Sequence, residues 1–151
     1  MENLIYTSIT GSSHMNTSIV KFRNPTSIST PTGYSHSAEI DLGTCIMLIV
    51  SGQVPVDKQG NLVGKGNLGK QAEQVFLNIK SIVEEAGGTM ENVVRTGVYM
   101  VDLAQTQLFR DVRNKFINPQ KPPTSTLVQV SKLFSDDWLI EIEATAIIPK
   151  K

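Results

Sequence analysis

Apolar and polar residues alternate with a period of two through Leu139-Ile140-Glu141-Ile142-Glu143-Ala144-Thr145-Ala146-Ile147-Ile148 near the C-terminus. In an extended strand this places Trp138, Ile140, Ile142, Ala144 and Ala146 on one face and Leu139, Glu141, Glu143 and Thr145 on the other. The segment therefore reads as a strand with a dry side and a charged side. Two readings of the charged side stay open: a solvated outer face, or the wall of a cleft in which burial raises a glutamate pKa and makes it a proton carrier.

Elsewhere the pattern predicts a series of short elements. Ser18 to Arg23 is a strand that stops at Asn24-Pro25, and a Ser, Thr and Pro-rich stretch from Thr26 to Gly33 reads as a surface loop. His36 to Leu42 and Thr44 to Ser51 form a hairpin turning at Asp41-Leu42-Gly43. Asp57-Lys58-Gln59-Gly60-Asn61 is turn chemistry. Gly64, Gly66 and Gly69 follow no strand directly and precede no Gly-Lys-Ser/Thr, so they do not read as a phosphate loop.

Leu68, Ala72, Val75, Phe76, Ile79, Ile82, Val83 and Ala86 recur every three or four residues and predict a long amphipathic helix ended by Gly87-Gly88. Val93 to Val101 is β-branched and aromatic and reads as a central strand. Asp102 is placed to cap a second helix, Leu103 to Ile117, that halts before Pro119. Thr124 to Ser131 and Trp138 to Ile148 are the last strands. The order is β-β-β-α-β-α-β-β, an α+β chain with two helices on one face of a mixed sheet. Its other face is left partly apolar, and self-association is the simplest cover.

Composition narrows the function classes. With 151 residues, 40% of them hydrophobic, the chain can bury one full core. Its formal net charge is zero, and no basic block interleaved with aromatics marks a nucleic-acid surface. The single cysteine, Cys45, lies in the run Cys45-Ile46-Met47-Leu48-Ile49-Val50 and reads as a buried, inert thiol. Gly11-Ser12-Ser13-His14-Met15 resembles a vector-derived scar, so residues 1–14 read as an expression leader and 15–151 as a single domain. His36 is then the one native histidine, which leaves no basis for a metal site. No cofactor is expected. No signal peptide or membrane span is visible, and a cytoplasmic protein is expected.

Gly33-Tyr34-Ser35-His36, Ile49-Val50-Ser51-Gly52-Gln53-Val54-Pro55-Val56-Asp57, Glu84-Glu85-Ala86-Gly87-Gly88, Val93-Val94-Arg95-Thr96 and Ile140-Glu141-Ile142-Glu143-Ala144 occur in this order along the chain. As an ordered set they resemble the Rid family, also called YjgF or endoribonuclease L-PSP, from about Ile28 to the end. The resemblance implies a chorismate-mutase-like α+β subunit, a homotrimer with small-molecule clefts between subunits, and hydrolysis of reactive enamines and imines to 2-oxo acids and ammonia. It also implies site residues: the cleft tyrosine matches Tyr34, the Ser-Gly-Gln glycine Gly52, and the strand carboxylate Glu141.

One position departs from that pattern. Deaminating members carry an arginine that binds the substrate carboxylate, and the matching segment Pro123-Thr124-Ser125-Thr126-Leu127 has Ser125 there. A guanidinium offers charge and a planar fork, whereas serine offers one neutral hydroxyl, so recognition of a substrate carboxylate is expected to be altered. Arg113 on the second helix is the first candidate to compensate, with a solvated helix arginine as the plain alternative. His36, where many relatives have glutamine, is either an acid-base group beside Tyr34 or a histidine that satisfies its neighbours. The hydrolytic reading makes Glu141 the catalytic base, uses backbone N–H groups around Gly52 and Leu127 to steady negative charge, and closes Tyr34 over the substrate. The alternatives are a non-catalytic trimer that binds a small molecule or a protein and, against the neutral charge, a ribonuclease.

Overall fold

The computed structural model describes residues 18–151, so the expected leader lies outside the described residues. Six strands form one mixed sheet: β1 (Val20–Arg23), β2 (Ser37–Asp41), β3 (Cys45–Gln53), β4 (Val93–Met100), β5 (Thr124–Gln129) and β6 (Ile140–Pro149), in the order β1-β2-β3-β6-β4-β5. Only β4 and β5 run parallel; the remaining neighbours are antiparallel. The helices α1 (Leu68–Glu85) and α2 (Thr106–Arg113) follow β3 and β4. Among the described residues no helix is long and apolar enough to cross a membrane.

The core lies between the helices and one face of the sheet. Ile140, Ile142, Ala144, Ala146 and Ile148 of β6 are buried there with Leu48 and Val50 of β3 and Val98 and Met100 of β4. Alpha1 contributes Leu68, Ala72, Val75, Phe76, Ile79, Ile82 and Val83, the predicted stripe. Phe76 stacks on Phe109 of α2 at 6.2 Å and on Phe116 beyond it at 5.2 Å, tying the helices together.

Local chemistry explains where elements stop. Asn67 accepts from the Lys70 N–H at the start of α1. At its end Gly87, with φ of +87°, donates to the Glu84 carbonyl while Gly88 donates to that of Val83, a Schellman cap. Gly43 turns the β2–β3 hairpin, its N–H donating to Asp41. Four expectations shift. The second helix is α-helical only over Thr106–Arg113, because Asp102 caps a separate 3₁₀ turn, Leu103–Gln105, through the Ala104 N–H. Strand β3 continues through Gly52 to Gln53, and β6 begins at Ile140 rather than Trp138. Cys45, expected to be buried, is half-buried at the start of β3, where it pairs with Pro149.

Among the described residues the opposite face carries no helix. Cross-strand register aligns Val20, Ile40, Met47 and Ile147 in one row and Phe22, Ala38, Ile49 and Thr145 in the next. Phe22 is 71% and Ile49 44% exposed, so this face keeps the apolar character that the element count anticipated.

Phe76→Ala should destabilise the protein by about 3–5 kcal/mol, through lost burial and the cavity left between the helices. Leu77→Ala, on the solvent side of the same helix, should stay within about 0.5 kcal/mol. Denaturant unfolding at one fixed protein concentration checks both.

Candidate functional site

Burial of the five apolar residues of β6 directs Glu141 and Glu143 to the helix-free face. Both carboxyl groups lie over glycines of the flanking strands. A Cβ built on Gly52 of β3 would fall 1.9 Å from Glu141 Oε1, and one on Gly97 of β4 would fall 2.7 Å from Glu143 Oε1. Any other residue at 52 would occupy the space that the Glu141 carboxylate fills.

A β-bulge brings Gly52 to that position. Val50 pairs with Ala144 and Gln53 with Ile142, so Ser51 and Gly52 together oppose the single residue Glu143. Bulges of this kind re-aim one strand against its partner, and here the backbone of Gly52 comes under Glu141.

The two glutamates differ in their surroundings. Glu143 accepts from Arg95 Nη1 at 3.1 Å at a largely exposed pair. Glu141 has no cationic neighbour in an ion pair among the described residues, and burial, followed by the charge of Glu143, holds its carboxyl above the ordinary glutamate range. Tyr34 lies in the loop before β2, where burial and the Glu141 charge raise its phenol. Its ring meets His36 edge-on at 5.4 Å. Tyr34, Gly52 and Glu141 are thus brought to one region of the helix-free face.

His36 is buried and hydrogen-bonded through both ring nitrogens. It is 2% exposed, Nε2 lies 2.7 Å from the Ser29 carbonyl, and Nδ1 lies 3.2 Å from Gln53 Nε2. A carbonyl can only accept, so Nε2 carries the proton and Nδ1 accepts from the Gln53 amide. Both nitrogens are engaged, so the ring bridges the loop and β3.

Ser125 and Leu127 lie elsewhere within the chain. In the parallel ladder they pair with Thr96 and Val98 on the helix side, where Thr96 Oγ1 donates to Ser125 Oγ at 3.0 Å and Leu127 packs on the core. Thr124 and Thr126 alternate to the glutamate side, as the strand period requires. Arg113 is on α2 and directs its guanidinium to the side chain of Asn114. Within one copy, neither Ser125 nor Arg113 shares a face of the sheet with Glu141.

The comparisons with known proteins agree with this architecture. The endoribonuclease L-PSP family model matches residues 25–148. The chain belongs to the Rid (YjgF/L-PSP) family. A RutC family protein of Saccharolobus solfataricus is 41% identical over 100 residues, covering 66% of this chain and 78% of that protein. Yeast YEO7 superposes with a TM-score of 0.77 at 26% identity, over 87% of this chain and 99% of that one. Escherichia coli TdcF, solved with bound serine, superposes with a TM-score of 0.72 at 29% identity, over 84% of this chain and 98% of that one.

In this Rid-family chain, four further residues frame the region without standing out in the sequence pattern. Gly97 supports Glu143 as Gly52 supports Glu141, and its signal was its position opposite Glu143 in a β-branched strand. Gln53 joins His36 to the bulge by donating to the Ser51 carbonyl at 3.2 Å. Gln71 and Asn78 are polar residues on the apolar stripe of α1, three after Leu68 and three after Val75; both are buried.

A raised carboxyl pKa has a defined effect on stability. The folded state holds the Glu141 proton to higher pH than the unfolded chain, so Glu141 costs nothing below the ordinary glutamate pKa, and its penalty grows as pH rises through the raised folded value. Glu141→Gln should therefore unfold at a higher temperature than wild type at neutral pH, with the advantage fading as pH falls through that window. Glu143→Gln should move the Glu141 titration down toward the ordinary range, as read from carboxyl carbon chemical shifts.

Proposed function

We propose that this Rid-family protein hydrolyses a small enamine, imine or related C–N compound in clefts between subunits, with carboxylate recognition altered by Ser125. The reading is carried by Glu141, a carboxyl group half-buried over the Gly52 backbone, poised to exchange a proton, with Tyr34 beside it. Because Ser125 and Leu127 lie on the helix side of the edge strand, a cleft that joins them to Glu141 is built from two copies. The apolar rows on the helix-free face give those copies a surface to bury, and a homotrimer is the assembly proposed.

Glu141 takes a proton from water as the water oxygen bonds to the C=N carbon and passes that proton to the nitrogen, giving a neutral carbinolamine. Glu141 then takes the carbinolamine hydroxyl proton and returns it to the nitrogen as the C–N bond breaks, so ammonia leaves and a carbonyl compound remains. Imine and water are consumed, and carbonyl compound and ammonia are formed. Backbone N–H groups near Gly52 and, from the neighbouring copy, near Leu127 steady charge on the substrate. The raised carboxyl pKa suits Glu141 to both steps, since a group that is too acidic returns its proton poorly.

One observation favours the second reading, a cleft that binds a small molecule without turning it over. Arg95 is paired with Glu143, Arg113 with Asn114, and Ser125 with Thr96, so the candidate partners for a carboxylate are each engaged. TdcF was solved with serine, a zwitterion, and a related zwitterionic or cationic ligand suits the acidic side of this cleft. A ribonuclease function has less support, since the formal net charge is zero.

Ammonia release from 2-iminobutanoate generated in situ separates these readings. Ser125→Arg should work about a hundredfold faster than wild type at low substrate, the worth of a charge-assisted pair. Glu141→Gln should lower activity in either background by about a hundredfold or more. Gly52→Ala, which displaces the carboxylate, should lower it at least about tenfold. Equal rates for wild type and Ser125→Arg would remove the altered recognition, and no release by either would favour the binding module.

A further inference from the structure

Gly52 and Glu141 sit close to strand ends whose backbone polar groups run out of sheet partners. Strand β3 leaves the sheet after Gln53 through Val54-Pro55-Val56, and β6 enters from Asp137-Trp138-Leu139. Some of these groups find backbone partners, the Val54 carbonyl accepting from the Val56 N–H at 2.8 Å and the Leu139 carbonyl from the Val101 N–H at 3.2 Å; the Leu139 N–H and the Asp137 and Val56 carbonyls, left unpaired beneath a helix, would be costly and free to shift.

Alpha1 supplies the missing partners from one polar ribbon within its buried side. Gln71, Gln74 and Asn78 stand three and then four residues apart, on one stripe of the helix. Gln71 is fully buried: Oε1 accepts from the Leu139 N–H at 2.7 Å, and Nε2 donates to the carbonyls of Asp137 at 2.8 Å and Gly64 at 3.2 Å. Asn78, 5% exposed, donates through Nδ2 to the carbonyls of Val54 and Val56, both at 3.1 Å. Gln74 donates to Asn78 Oδ1 at 2.8 Å, which fixes the orientation of that amide.

We infer that Gln71 and Asn78 are positioning residues for the Glu141–Gly52 site, holding from the opposite side of the sheet the two strand ends that carry it. Gln71 grips the chain two residues before Glu141, and Asn78 grips it two residues after Gly52. The fit between a carboxylate and a bare backbone depends on the offset of β6 against the β3 bulge, and small movements at either end change it. Packing alone would not fix this offset, because apolar side chains tolerate sliding that a pair of directional amide contacts does not. The clamp concerns the Glu141–Gly52 geometry and not a particular reaction, so its test is separate from the ammonia assay.

The experiment is a carboxyl carbon NMR titration of Glu141 in the full chain, assigned by comparison with Glu141→Gln. Glu141 faces Glu143 and Tyr34, and both remain in place in every variant. Gln71→Met and Asn78→Leu keep side-chain bulk but lose the hydrogen bonds. In both, the Glu141 midpoint should move down toward the ordinary range as the carboxylate leaves Gly52 for solvent. Ile79→Val, which trims the core stripe of the same helix without touching either strand end, should leave the midpoint unchanged. A midpoint that stays at its wild-type value in both amide variants overturns the inference, as does an equal movement in Ile79→Val. Should either amide variant fail to fold, Gln71→Glu and Asn78→Asp are read by the same criterion. Those replacements keep acceptors but change donation, so the midpoint should move in them as well.

Discussion

Burial of one face of β6 is the constraint from which the site follows. Lying between β3 and β4, β6 places Ile140, Ile142, Ala144, Ala146 and Ile148 under the helices, each nearly or fully buried. A slip of one residue would bury Glu141 and Glu143 without partners and expose five apolar side chains, so the register is strongly determined. That register sets Glu141 opposite Tyr99 and Glu143 opposite Gly97, and it brings the β3 bulge against Glu143.

The two glutamates then part company for electrostatic reasons. Arg95 neutralises Glu143 at an exposed pair, and the charge of Glu143 in turn opposes ionisation of its neighbour. Glu141 meets backbone, a tyrosine ring and like charge, an environment that favours its neutral form. A carboxyl group in such surroundings keeps its proton to higher pH than one facing water. The difference arises from the neighbours on β3 and β4.

The helix side contributes more than apolar cover. Gln71 and Asn78 spend core positions on amides that bond the chain entering β6 and leaving β3, with further contacts to Gly64 and Gln74. Such fully satisfied polar groups fix geometry where aliphatic packing would leave it soft. Gln53 and His36 do the same for the loop bearing Tyr34, the ring nitrogens joining Ser29 to the bulge. Loop, bulge and strand are thus referred to one rigid frame.

Several features were legible in the residues themselves. Period-two alternation showed that β6 has a dry and a charged side, three-and-four spacing showed α1, and Gly87-Gly88 its end, because these are local properties of backbone geometry. The ordered strings around Tyr34, Gly52 and Glu141 carried the family, and with it the three residues that share a region of the structure. Tertiary structure alone decided what alternation cannot encode. The bulge at Ser51-Gly52 is invisible in a sequence that would fit a straight strand equally well, since only pairing with β6 makes one residue extra. Asp102 was visible as a cap, but what it caps is a separate 3₁₀ turn, Leu103–Gln105, ahead of the α-helix Thr106–Arg113. Glu141 and Glu143 share a face and a periodicity, and Ser125 lies on the other face, because chemical environment depends on contacts between strands far apart in the chain. Sequence determined which residues face the core and which the open side; the three-dimensional neighbours of those faces set Glu141 over the Gly52 backbone and Glu143 beside Arg95.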